Sequence, residues 1–149
     1  MSQEISTSQP NKPEIASRKR EFSWRVAANL LISFKYAWSG ISYTFATQRN
    51  FRIHLLIGAI AISLGTSLHL QAIELAVIAI TSGLVMALEV LNTAIESVVD
   101  LSVKQSYHEL AKIAKDCAAG AVLVAALASL LVASILLVPP LLVLVRAAL

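Results

Sequence analysis

Charge is scarce in this chain. Only 14% of its 149 residues are Asp, Glu, Lys or Arg, where soluble domains run nearer about a quarter. Apolar residues make up 57% and the mean hydropathy is +0.74, so a membrane protein is the leading class. Cysteine occurs once, at Cys117, which excludes an internal disulfide framework and a cysteine-built zinc site. Neither a Walker-type phosphate loop nor a Gly-rich kinase loop is present, so no standard soluble nucleotide fold is available. The first twenty residues hold Pro10 and Pro13 but no apolar core, so no secretory signal peptide is expected. There is no internal repeat. The net charge of +3 is small; what matters is where the positive residues lie.

Residues 1–22 are expected to form a disordered basic cytoplasmic tail, rich in Ser, Gln, Thr and Pro. Its Arg18-Lys19-Arg20 cluster suits anionic headgroups and is too short for a nucleic-acid patch. Residues 23–46 are expected to form an amphipathic helix lying in the interface plane. Leu30, Phe34, Ala37, Ile41 and Phe45 share one face, with Arg25, Lys35, Ser39 and Ser42 opposite. Trp24 and Trp38 suit the headgroup boundary. An ordinary helix packed on the bundle is the alternative. Thr47 to His54 forms a polar hinge whose Arg49, Arg52 and His54 suit headgroup anchoring. His54 alone fits a hydrogen-bonded interfacial residue better than a metal ligand.

Three spans follow, at about 51–70, 72–101 and 117–138, within a membrane domain over 23–140. Gly58, Ala61 and Gly65 keep one side of the first span thin, and Ala118 to Ala121 with Ala125 and Ala128 do so on the third. Pro139-Pro140 is expected to end that helix, leaving 141–149 as a short apolar tail. Positive residues crowd the N-terminal side and the polar 101–116 connection but avoid the 69–74 turn. The N-terminus is therefore expected inside, with the polar clusters at the cytoplasmic face.

Glu89-Val-Leu-Asn-Thr-Ala-Ile-Glu-Ser-Val-Val-Asp100 closes the second span. On a helix, Glu89, Asn92, Glu96 and Asp100 share a sector of roughly 80°. Val90, Ile95, Val98 and Val99 lie away from it. Like charges on one face near a membrane call for a divalent cation, a Lys or Arg, or protonation. With Tyr107, His108, Lys115 and Asp116 close by in sequence, the face has the parts for phosphoryl transfer. Glu89 is the deepest acid by its neighbours and the candidate base. Glu96 and Asp100 are candidate Mg²⁺ ligands, and Lys115 can meet phosphate. Ion or proton transport and a purely structural role remain open on spacing alone.

The ordered Glu-x-x-Asn-Thr-Ala-Ile-Glu-x-x-Val-Asp core resembles the signature of the small integral-membrane prokaryotic diacylglycerol kinase and undecaprenol kinase family. Tyr107-His108, Ala114-Lys115-Asp116 and Ala118-Ala119-Gly120-Ala121-Val122 match its second block. Ser33-Phe34-Lys35-Tyr36-Ala37 and Arg49-Asn50-Phe51-Arg52-Ile53-His54 match its amino-terminal block. The resemblance covers about residues 30–138. It implies an all-α membrane protein of three transmembrane helices and an interfacial helix, in a homotrimer with shared active sites. It implies an ATP- and Mg²⁺-dependent lipid kinase of the bacterial inner membrane, acting on diacylglycerol or undecaprenol at the cytoplasmic face.

Residue by residue, Glu89 resembles the base, with Asn92 beside it and Asp100 in support. Glu96 resembles the metal ligand and an ATP contact. Tyr36, Tyr107, His108, Lys115 and Asp116 resemble nucleotide contacts. Gln48 departs from the pattern: many relatives carry a metal-holding Glu there, and Gln48 offers only a neutral carbonyl oxygen. A catalytically weak or silent scaffold of the same fold is therefore the alternative. The 49–54 block resembles the undecaprenol branch somewhat more than the diacylglycerol branch.

Overall fold

The computed structural model describes residues 30–104 and 106–148. Among them stand four α-helices and no strand: α1 (Leu30–Thr47), α2 (Arg49–Ser67), α3 (Ala72–Val103) and α4 (Glu109–Ala148). The expected basic tail over 1–22 and the start of the interfacial helix at 23–29 lie outside the described residues. The chain divides into two compact units, the first ending at Ser39 and the second beginning at Gly40. In the first, Leu30, Phe34 and Trp38 of α1 are exposed.

The second unit is built on α2, α3 and α4, with α3 packed against both of the others. The junction of α1 and α2 is shorter than the sequence suggests. Gln48 alone is extended (φ −99°, ψ 114°), and Arg49 to His54 are already helical. The corner is fastened from both sides. Arg52 Nη1 donates to the carbonyls of Phe45 and Ala46 at 3.4 and 3.3 Å, satisfying acceptors that a helix end leaves open. Phe45 and buried Phe51 meet edge-to-face with centroids 6.5 Å apart.

The α2–α3 turn is tight. His69 takes a left-handed φ of 58°, and Gln71 with Glu74 forms a capping box. A Cβ on Gly65 would lie 2.8 Å from Leu70 Cδ1 and 2.9 Å from Leu75 Cδ2, so the turn folds back only over glycine. Gly58, Ala61 and Gly65 are all buried, and the thin side of α2 is the side that packs. The core lies in two clusters. Ala61, Ile78 and Leu137 gather Leu64, Leu68, Leu70, Ala133 and Leu136. Val85, Val122 and Ala125 gather Leu88 and Ala126.

By length and composition, α3 and α4 are the two described helices apolar enough to cross a membrane. The outer side of α4 exposes Leu123, Leu127, Leu130, Leu131 and Ile135, a surface suited to lipid and unfavourable in water. The expectation of three spans is thus met in part: α2 is a helix packed on α3, but its first turns carry Arg49, Arg52 and His54.

Two boundaries are corrected. The helix does not stop at Pro139-Pro140; α4 continues to Ala148, so 141–148 is helix and no separate tail. Proline's fixed φ is itself helical, and strongly apolar turns flank the pair on both sides. What is lost is two backbone donors, which leaves the helix whole. Nor is 101–116 all connection. The break runs from Lys104 to His108, with Lys104 left-handed (φ 44°). Glu109 to Asp116 already belongs to α4. Its Lys112 and Asp116 pair one turn apart at 2.5 Å, a spacing that supports a helix start.

Candidate active site

The acidic face of α3 turns inward at its deep end and meets water at its other end. Glu89 is 3% exposed and Asn92 8%; Glu96 is half-buried and Asp100 exposed. The order follows position along one helix face, because residues 89, 92, 96 and 100 step outward by successive turns. Thr93, also buried, donates through Oγ1 to the Glu89 carbonyl at 2.9 Å. That bond stays within the backbone ladder and leaves the Glu89 carboxylate untouched.

Asn92 Nδ2 donates to Glu96 Oε1 at 3.0 Å. Its own Oδ1 is buried without a hydrogen-bond partner, and so is Glu89 Oε1. Orphaned buried oxygens are uncommon and unfavourable; two of them three residues apart on one helix face make this a candidate binding place. The nearest cation-forming group to Glu89 is His54 on α2, with Nε2 3.5 Å from Glu89 Oε1. That separation is longer than an ordinary hydrogen bond.

The exposed end of the face carries a second cluster. Lys115 Nζ on α4 stands 2.5 Å from Asp100 Oδ1 on α3, clamping the two helices across the loop. Beside the pair opens a cavity of about 410 Å³, lined by Asp100, Tyr107, His108, Lys112, Lys115 and Asp116 among others. Four of the six residues expected to contact nucleotide (Tyr107, His108, Lys115 and Asp116) therefore face one space. Glu96 is not among its lining residues. Tyr36 is exposed on α1, in the first unit. Gln48 is half-buried at the α1–α2 corner, and its side chain caps nothing.

Among the described residues, no three His, Cys, Asp or Glu side chains cluster as a metal-ligand set. The oxygens that are present still suit a hard cation. Mg²⁺ takes one or two carboxylates and fills its remaining positions with water and substrate phosphate. Glu96, held by Asn92 beside an unpartnered amide oxygen, fits that demand.

Three further residues stand beside the candidate site without being singled out for it by the sequence. Lys112 lines the cavity, and its spacing from Asp116 was a legible signal. Thr93 had no signal beyond its place between Glu89 and Glu96. His54 suits headgroups by its sequence position, and its approach to Glu89 depends on the register between two helices, which one sequence does not display.

Together these features define a small helical membrane protein with a buried acidic group midway along a long helix and a polar cavity near that helix's end. The family model described as prokaryotic diacylglycerol kinase matches residues 35–137. A diacylglycerol kinase of Synechocystis is 64% identical over 132 residues, covering 89% of this chain and 75% of the relative. An undecaprenol kinase of Bacillus subtilis is 41% identical over 109 residues, 73% of this chain and 88% of that protein. A diacylglycerol kinase of Escherichia coli is 34% identical over 102 residues, 68% and 83% respectively. The chain belongs to the prokaryotic diacylglycerol kinase family, and every candidate site residue from Tyr36 to Asp116 falls inside the matched region.

Proposed function

We propose that this membrane lipid kinase transfers the γ-phosphoryl group of ATP, with Mg²⁺, to the hydroxyl of a membrane lipid alcohol. Lipid kinase activity follows from the family and its named relatives. The observation that carries the residue assignment is the Glu89 carboxylate, 3% exposed with Oε1 lacking a hydrogen-bond partner. Such a group is poised to accept a proton from a hydroxyl that reaches it laterally from the bilayer.

Each group then has a task. Glu89 takes the lipid hydroxyl proton as the oxygen attacks phosphorus. Asn92 holds Glu96 by the bond between them, and Glu96, with Gln48 as a neutral second donor, holds the metal. Mg²⁺ bound with ATP supplies positive charge across the phosphate oxygens, where charge builds in phosphoryl transfer. Lys115 adds a point charge toward phosphate, and Asp100 keeps its ammonium on station between α3 and α4. Tyr107, His108 and Asp116 contact the nucleotide in the cavity they line, and Tyr36 contributes from α1. α2 completes a third span. The polar clusters face the cytoplasm, and three copies assemble with shared sites.

Diacylglycerol is the first substrate to try, giving phosphatidic acid. The relative at 64% identity carries that name, against 41% for the undecaprenol kinase, which outweighs the lean of the 49–54 block toward undecaprenol. The test is labelled phosphate transfer from ATP by the purified full chain in mixed micelles, with diacylglycerol and undecaprenol side by side. Transfer is expected to need Mg²⁺, to stop on chelation and to return when Mg²⁺ is restored. A folded protein that phosphorylates neither lipid at high Mg²⁺ would refute the reading and leave a catalytically silent scaffold.

A further inference from the structure

We propose that His54 is a positioning residue for Glu89, fixing the carboxylate from across the α2–α3 pair. This inference rests on the assignment of Glu89 as the base. Three observations carry it. Glu89 Oε1 is buried and has no hydrogen-bond partner, so no hydrogen bond from α3 holds that oxygen. His54 Nε2 lies 3.5 Å away across the helix pair, a few tenths of an ångström beyond hydrogen-bond reach. Catalytic hydrogen bonds are often that long before substrate binds and tighten afterwards.

The third observation is what the His54 ring faces. It lines a crevice of about 200 Å³ that continues past Gly58, Ala61, Val85, Ala126 and Ala133. One imidazole thus faces the carboxylate on one side and a mostly apolar slot on the other. The packing holds it there. Gly58, one turn along α2 from His54, lets the backbone come so near α3 that an added Cβ would sit 3.2 Å from Ser82 Cβ. Ala61 meets Ile78 further along, so the helices run antiparallel in a register that sets residue 54 against residue 89. An ordinary interfacial histidine would be expected to aim at headgroups or water. This one is half-buried, with its Nε2 aimed at a carboxylate that is 3% exposed.

The role makes a geometric demand. A donor must arrive at the position of Nε2, and an amide two methylenes from Cα can deliver one where an amide a single methylene away cannot. His54→Gln and His54→Asn are similar in polarity and differ in reach. Kinetics of phosphate transfer would be measured on the full chain in mixed micelles for these two, for His54→Leu, and for Glu89→Gln as the control. His54→Leu and His54→Asn are expected to lose roughly 10- to 100-fold in kcat, the scale for misplacing a catalytic group. Their KM for ATP should stay within about twofold, because the ATP site is not what moves. His54→Gln should recover to within about threefold of wild type.

An active His54→Asn beside an inactive Glu89→Gln would overturn the inference and leave the base assignment standing. A His54→Gln as impaired as His54→Asn would overturn it in favour of a size or packing role. Wild-type turnover by Glu89→Gln would remove the base and the inference together. Should His54→Leu fail to fold, the Gln and Asn pair still decides.

Discussion

Replacing Glu89 with Gln separates chemistry from architecture more cleanly than any other change in this protein. The side chain keeps its length and shape. It is 3% exposed, so packing is unaltered, and its Oε1 has no hydrogen bond to lose. The Thr93 hydroxyl binds the Glu89 backbone carbonyl, not its carboxylate, so the local helix is indifferent to the exchange. What disappears is the ability to take a proton. Positioned general bases contribute typically about 10²- to 10⁴-fold, equivalent to roughly 3–5 kcal/mol of barrier. Stability should move the other way or not at all, because a buried carboxylate whose nearest cation-forming group stands 3.5 Å away is harder to bury than an amide. The assay is phosphate transfer alongside nucleotide binding and thermal unfolding in the same micelles. The expected result is a loss of kcat by two to four orders of magnitude, with ATP binding kept and the melting temperature unchanged or raised. Turnover within about threefold of wild type would refute the base. A lower melting temperature accompanying the lost activity would refute the architectural half and make Glu89 a structural residue.

Further outcomes follow from other parts of the molecule. Gln48→Glu restores a charge at the α1–α2 corner and should lower the Mg²⁺ concentration for half-maximal rate; an unchanged titration would put Gln48 outside the metal's coordination sphere. Lys115→Met should raise the KM for ATP about tenfold, or roughly 1.4 kcal/mol. Its melting temperature should move little, since the pair with Asp100 is 38% and 63% exposed and such pairs contribute at most about 1 kcal/mol. Gly58→Leu should destabilise the fold by roughly 1–3 kcal/mol through overpacking, because even a Cβ there lies 3.2 Å from Ser82. Gly83→Ala should be neutral or stabilising by up to about 1 kcal/mol, as nothing lies within 4 Å of its Cβ position. Thermal unfolding of the two glycine variants should therefore shift in opposite directions, or at least differ in that order.

Much of this site could be read from one strand of text because it lies on one helix. Helical period alone aligns Glu89, Asn92, Glu96 and Asp100, and the structure finds them grading from buried to exposed. The same holds for Gly58, Ala61 and Gly65, which share a face and prove to be the packed face. What could not be read lies between helices. The approach of His54 to Glu89 and the clamp of Lys115 on Asp100 depend on the offset between neighbours, and a single sequence carries no record of that offset. Pro139-Pro140 misled for a different reason. The rule that proline breaks helices weighs local donors and clashes, and it leaves out the cohesion of long apolar turns on either side. The Lys104 turn was hidden likewise, because a left-handed lysine has no sequence mark of the kind glycine or asparagine gives.

The uninterrupted length of α3 makes it a depth gauge. At 1.5 Å per residue its 32 residues extend about 48 Å, well past a hydrocarbon layer of about 30 Å. Measured from Ala72, Glu89 comes at about 26 Å and Asp100 at about 42 Å. With Ala72 at one boundary of that layer, Glu89 would lie just inside the other, and Asp100 would stand beyond it. The offset of about 16 Å between those stations is fixed by the helical rise and does not adjust to the lipid. Membrane thickness does adjust. On that placement a thicker bilayer would sink Glu89 deeper below the headgroups, and a thinner one would lift it toward them. The chain length of the surrounding lipids would then set the depth of Glu89 without any change in the protein.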